Sequence, residues 1–203
     1  MGGNGGTVMS MEHKAFVFDT KTFHTKIEPV MKDSIADHEV ARQYICEHYS
    51  QLQSPYTGET LDENWEEEFD APTLQEYFDI MLTACYDVED EIGLGYLWDA
   101  VNEAIVALDV FEDPQVVVLG KEIKIEDVQV DPGAMGLGLI EQEEVLAIRN
   151  KLLENKEEIE TVEVETEDLL YDVEQDEWIE AYEDLCGIYE EAARQEKGLL
   201  FTF

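Results

Sequence analysis

The sequence predicts an α+β fold, a small mixed or antiparallel sheet covered by about five to six helices in one domain. Three observations carry this. Apolar residues recur every three or four positions over most of the chain, which marks amphipathic helices. Short alternating or wholly apolar segments fall unevenly among them, so the order is not that of a doubly wound sheet. Hydrophobic residues make up 44% of the 203 and aromatic residues 10%, enough to build a core despite the high charge.

In order, Met1–Ser10, with Gly2, Gly3, Gly5 and Gly6, reads as a flexible tail ahead of a single domain over residues 11–203. Lys14–Asp19 reads as a strand with Phe16 and Phe18 on one face, suiting a sheet packed on one side. Phe23, Ile27 and Met31 recur every four residues and predict a short helix after a cap at Asp19 or Thr20. His38–Leu52 is a second helix, with Ala41, Ile45, Tyr49 and Leu52 along its stripe. Ser54–Pro72 is an acidic loop. Thr73 and Glu76 have capping-box spacing, opening a helix through Leu74, Tyr77, Phe78, Met81, Leu82 and Cys85 that Asp87–Glu91 ends. Tyr96–Leu108 forms the next helix. Gln115–Leu119 is a buried-strand candidate, and Glu122–Val128 alternates as a more exposed strand. Asp131-Pro-Gly133 is a turn. Glu141–Leu153 is a helix, and Glu157–Asp168 fits either an exposed strand or a linker. Trp178, Tyr182, Leu185, Tyr189 and Ala192 trace a helical seam that Gly198 is placed to end, before a closing strand at Leu199–Phe203.

The stretch Met135-Gly-Leu-Gly138, the helix at Glu141–Leu153, the acidic linker and Trp178–Gln195 closing on GLLFTF resemble the C-terminal half of the YfbM-like family of small bacterial proteins of unknown function. The matching positions are Tyr189, Ala192, Ala193 and Gly198, within residues 134–203. Where that family has an aromatic and a proline near the first segment, this chain has Met135-Gly-Leu. The resemblance implies an α+β fold and supplies no activity.

Charge says more about function. The chain has 50 Asp and Glu against 12 Lys and Arg, a formal net charge of -38. Between Gln43 and Gly120 there are 19 acids and no Lys or Arg, and from Glu157 to Glu191 there are 16 acids and again neither. From Glu174 to Glu191, eight acids in 18 residues give about one charge per ~3.4 Å of helix axis, the linear density of one DNA strand. Any amphipathic helix has a solvated face, but ordinary surfaces mix signs. Direct nucleic-acid binding is disfavoured, because it depends on Lys and Arg, and an anionic membrane surface is disfavoured for the same reason. No stretch reaches the roughly 20 apolar residues needed to span a bilayer.

The N-terminus shows no secretory signal pattern. Cys46, Cys85 and Cys186, in apolar helical settings, predict three reduced and largely buried thiols. Together these give a cytosolic (cytoplasmic) expectation. Salt adaptation is a further account of the acidity, weakened by the large apolar content and the preference for Glu over Asp.

Motifs exclude several chemistries. Read as an EF-hand from Asp87, loop positions six and twelve hold Ile92 and Trp98 instead of Gly and Glu. His13, His24, His38 and His48 lack HExxH spacing, and no CxxC occurs. Gly93-x-Gly95 and Gly136-x-Gly138 lack the third glycine of a dinucleotide fingerprint. There is no phosphate-binding P-loop, and Ser10, Ser34, Ser50 and Ser54 lie in no nucleophile elbow. No cofactor and no metal site is expected.

Two function classes stand. The first is an acidic cytosolic binder that masks a basic surface on a partner protein, such as an immunity protein or nucleic-acid mimic neutralising a nuclease-type toxin. Its expected contacts are Glu66, Glu67, Glu68, Asp87, Glu89, Asp90 and Glu91 as one set and Asp176, Glu180 and Glu183 as another. Trp65 is the candidate aromatic hot spot. The second is an uncharacterised enzyme or divalent-metal-binding protein with a carboxylate-rich site, which requires a concave pocket with convergent acids.

Overall fold

A computed structural model describes residues 11–69, 71–130, 136–165 and 169–203. The tail at residues 1–10 and the turn at residues 131–133 lie outside them. The centre is a six-stranded antiparallel sheet in the order β2-β1-β6-β5-β3-β4. Its strands are β1 (His13–Phe18), β2 (Ile92–Gly95), β3 (Lys121–Ile125), β4 (Val128–Val130), β5 (Leu137–Ile140) and β6 (Gly198–Thr202). The opening and closing strands pair directly, with Phe16 opposite Leu200 and Val17 opposite Leu199. The chain is therefore α+β, as its sequence predicts.

Both faces of the sheet are covered, which corrects the one-sided expectation. Phe16, Phe18 and Leu200 pack into one apolar cluster with Phe23, Met31, Ile45 and Phe78. Ala15, Leu199 and Phe201 pack into the other with Val101, Ile105, Leu152 and Tyr189. The strands supply residues to both clusters, so the two layers share one sheet and belong to one domain. The unbroken apolar run of β6, buried from Gly198 to Phe201, is the mark of a strand covered on both faces.

On the Phe16 face lie α1 (Thr20–Thr22), a π-helical turn (Phe23–Ile27), α2 (Glu28–Ala36), α3 (His38–His48) and α4 (Leu74–Leu82). Asp19 caps the first of these by accepting from the Thr22 amide at 2.9 Å. The Thr73–Glu76 capping box is present in both directions, satisfying amides that a helix start leaves open. The opposite layer holds α5 (Trp98–Leu108), α6 (Val116–Leu119), α7 (Gln142–Glu154) and α8 (Gln175–Gln195). The Tyr182 hydroxyl donates to the Leu152 carbonyl at 2.7 Å, and the Tyr189 hydroxyl to that of Val117 at 2.8 Å. These two bonds tie α8 to α7 and α6.

Several expectations change. The strand expected over residues 115–119 is helical, closed by the Leu119 amide on Gln115 and the Gly120 amide on Val116, both at 2.9 Å. Three successive valines carry β propensity, but that propensity yields to packing. Gly120 leaves this turn beside Gly138 of β5, where an added Cβ would stand 1.7 Å from the Leu119 carbonyl oxygen. The strand expected over residues 122–128 is a hairpin turning at Glu126 (φ 55°). α4 ends at Leu82, so residues 87–91 form a loop instead of its last turn. Residues 159–161 make a 3-10 turn with Ile159 buried. α8 is stopped by Glu196 in the left-handed region, while Gly198 opens β6. A side chain at Gly198 would meet the Ile140 oxygen at 2.3 Å.

Of the cysteines, Cys85 and Cys186 are buried free thiols, but Cys46 is exposed. It follows Ile45, which takes the inward position on α3. Burial pushes the Cys85 thiol up to about 12 and Cys186 up to about 11. His13 is buried in β1, accepting from the Leu94 amide and bonded to the Val118 carbonyl at 2.9 Å. A ring that donates on one nitrogen and accepts on the other is neutral.

Candidate functional site

The loop at residues 87–91 borders two adjoining recesses. The larger, about 770 Å³, lies between residues 50–53, residues 83–92 and the C-terminal end of α8. Its carboxylates include Asp19, Asp87, Glu89, Asp90 and Glu91, with Lys197 also on its wall. The smaller, about 330 Å³, is lined by Phe16, Tyr56, Asp79, Tyr86, Glu89 and Glu91 among others. Tyr86, Glu89 and Glu91 belong to both.

Gln53 fixes the loop. Its side chain donates to Asp87 at 2.9 Å and accepts from the Val88 amide at 3.0 Å, while its own amide donates to Thr83 Oγ1 at 3.0 Å. The Glu89 amide also donates to Asp87. The Gln53 bond, then the Glu89 bond, hold the Asp87 carboxyl below its usual range. It is therefore held as an anion, unsuited to giving up a proton near neutrality. At the rim, Lys14 Nζ bonds Glu91 at 2.9 Å.

Asp79 is the unexpected member. It sits in the run Tyr77, Phe78, Asp79, Ile80, Met81 and Leu82 of α4, all buried, and is itself 3% exposed. Gln75, one turn earlier, donates to it at 2.7 Å. Burial and then the Asp79 charge raise the hydroxyls of Tyr56 and Tyr86 above the usual tyrosine range. Sequence reasoning missed this group. The available signal was a carboxylate at the i+4 position from Gln75 and three before Leu82, on the inward stripe of a well-capped helix.

Trp65 does not serve as an accessible aromatic. It is 1% exposed, with Phe69 at 6.1 Å and Tyr77 at 6.3 Å between ring centroids, and so belongs to the core. The exposed aromatic of this region is Tyr56, at 62%. Glu66 is paired with Arg42, which also binds Glu39 at 2.5 Å, while Glu67 and Glu68 are exposed. None of these three acids lines the recesses bordered by residues 87–91. Asp176, Glu180 and Glu183 are exposed on α8, and Glu183 meets Lys156 at 3.4 Å. Glu190 on the same helix is paired with Arg149 and Glu191 with Arg194.

Among the described residues, no group of three His, Cys, Asp or Glu is arranged to hold a metal ion. No helix there is long and apolar enough to cross a membrane. No protein-family model, curated protein or solved structure matches the chain. The class defined by the fold is thus a single-domain α+β protein with an acidic, two-recess corner.

Proposed function

We propose that this chain is an acidic binding protein that masks a basic surface on a partner protein, in the manner of an immunity protein or nucleic-acid mimic acting on a nuclease-type toxin. One observation carries the reading: the acids of residues 87–91 stand exposed around a concave surface with an exposed tyrosine beside it. Twelve cations cannot neutralise fifty acids, so the field outside the molecule is negative and steers basic partners inward. The YfbM-like resemblance supplies no activity and adds nothing to this reading.

The test is association of the chain with a basic protein partner, measured at low and high salt. Exposed charges are screened over ~8 Å at physiological ionic strength, so the association rate should fall steeply as salt rises. Reversing Glu66, Glu67 and Glu68 together should slow it further. A rate indifferent to both would reduce the acidity to a solubility device.

The second reading, a carboxylate-dependent enzyme, is favoured by the larger recess, where acids converge. Against it stand the ionised Asp87 and the thiol of Cys85, which burial holds up at about 12 and so leaves a poor nucleophile.

A further inference from the structure

We propose that His24 is a proton-operated clasp: as the imidazolium it ties the π-helical turn of the Phe16 face to the start of α7 on the opposite face, and its deprotonation releases that tie. The proposal is independent of the binding reading and concerns residues that line neither recess of the acidic corner.

The geometry turns on what each group can donate. His24 Nδ1 lies 2.6 Å from Glu28 Oε2, and Nε2 lies 3.0 Å and 3.2 Å from the two carboxylate oxygens of Glu141. An ionised carboxylate only accepts, and a neutral imidazole has a single N–H. Both contacts are therefore hydrogen bonds only when both ring nitrogens carry protons. A neutral ring would turn a lone pair toward one of the carboxylates, replacing an attraction by a repulsion.

The three residues belong to different elements. His24 lies in the π-helical turn between Phe23 and Ile27, which are buried in the Phe16-face cluster. Glu28 opens α2, and Glu141 is the N-cap of α7, whose Val145 and Leu152 pack in the cluster on the other face. One side chain thus connects the two layers where β5 ends. α7 has no side-chain cap while the Glu141 carboxylate is bonded to His24. Once released, that carboxylate can accept from the open amides of the first turn of α7. Glu141 has partners in both arrangements, as a two-state switch requires.

The surrounding charges favour the cation. Lys121, Glu122 and Lys124 of β3 line a recess of about 210 Å³ together with His24, Glu28 and Glu141. Lys121 is paired with Glu144 and Lys124 with Glu122, which leaves Glu28 and Glu141 to the imidazole. Lys21 and Lys26, on the same stretch as His24, are exposed. Burial by itself would lower His24, but the bonds to Glu28 and then to Glu141 outweigh it and raise the ring above 6.5. A raised histidine contributes stability that is complete below 6.5 and is lost as pH rises through the folded value. The His24 side chain is 45% exposed, so release loosens the turn locally and leaves the core packed.

The test is a pH titration of the full chain by NMR. It reads the His24 ring nitrogens and the hydrogen-exchange protection of the Phe23–Ile27 amides, corrected for intrinsic exchange. The ring should titrate above 6.5, and protection of the turn should fall by at least about threefold as it does so. His24→Gln, at an exposed position, should remove that step. Glu141→Gln keeps the side-chain length and removes the charge, so it should move the ring's midpoint to lower pH. A residue that only filled space would leave the midpoint where it was. A ring titrating at or below 6.5, protection that ignores its titration, a step that survives His24→Gln, or a midpoint unmoved by Glu141→Gln would overturn the clasp.

Discussion

The corner at residues 87–91 and the outer face of α8 are both rich in acid but sit in different surroundings. On α8 Asp176, Glu180, Glu183 and Glu190 are exposed and line neither recess, and Lys156 and Arg149 pair with Glu183 and Glu190. At the corner the acids rim two recesses, one with aromatic walls and a buried carboxylate. Long-range attraction depends on charge alone, so both regions contribute to steering. Short-range affinity needs a desolvated anchor, and only the corner has an aromatic recess beside its acids. Acidity alone therefore does not set function.

The largest expected effect concerns what supports the corner. α4 carries Asp79 and is rooted by Phe78, which has no exposed surface. Phe78→Ala should cost about 3–5 kcal/mol of stability by urea unfolding, and a loss below ~1 kcal/mol would mean that the corner does not depend on α4 packing.

His13 comes next. Burial lowers it from 6.5 to about 4, outweighing its hydrogen bond to the Val118 carbonyl. The unfolded chain thus binds the extra proton between those values, so this contribution is intact above pH 6.5 and is lost as pH falls toward 4. The loss should reach about 3 kcal/mol. NMR should find the His13 ring unprotonated in the folded protein at pH 5.5, and a ring titrating near 6.5 would refute its place in the core.

α8 should respond less, on its buried face and on its ridge alike. Tyr189→Phe removes the hydroxyl that satisfies the Val117 carbonyl and should cost about 1–3 kcal/mol. Reversing the exposed acids Asp176 and Glu180 should change stability by less than ~0.5 kcal/mol each. A larger loss would show that the ridge acids hold the fold together.

The same contrast explains what was legible in the sequence. The long helices were, because the seams through Phe78 and Tyr182 repeat at helical spacing, and Thr73 with Glu76 marks a start. β1 and β6 were, because a short apolar run identifies a buried strand. β2 and β5 were not: IGLG and LGLI are four residues each, and both carry glycine, which strands disfavour. Those glycines serve close approach, since a Cβ on Gly93 would stand 2.4 Å from the His13 oxygen. The acidic loop was legible from charge. Its recesses were not, because Tyr56 and Tyr86 lie 30 positions apart in the chain and meet only through the fold. Trp65 was misread because the acids beside it in sequence point outward while its own ring turns in.

The most direct measurement is the association rate with a basic partner protein for two double charge reversals, Glu89→Lys with Asp90→Lys at the corner and Asp176→Lys with Glu180→Lys on the ridge. Both variants carry the same net charge, so a purely global field would slow them alike. The account predicts a slower association for the corner variant and a complex that dissociates at least tenfold faster, with the ridge variant changed in association rate only. Equal association and dissociation rates for the two would contradict it.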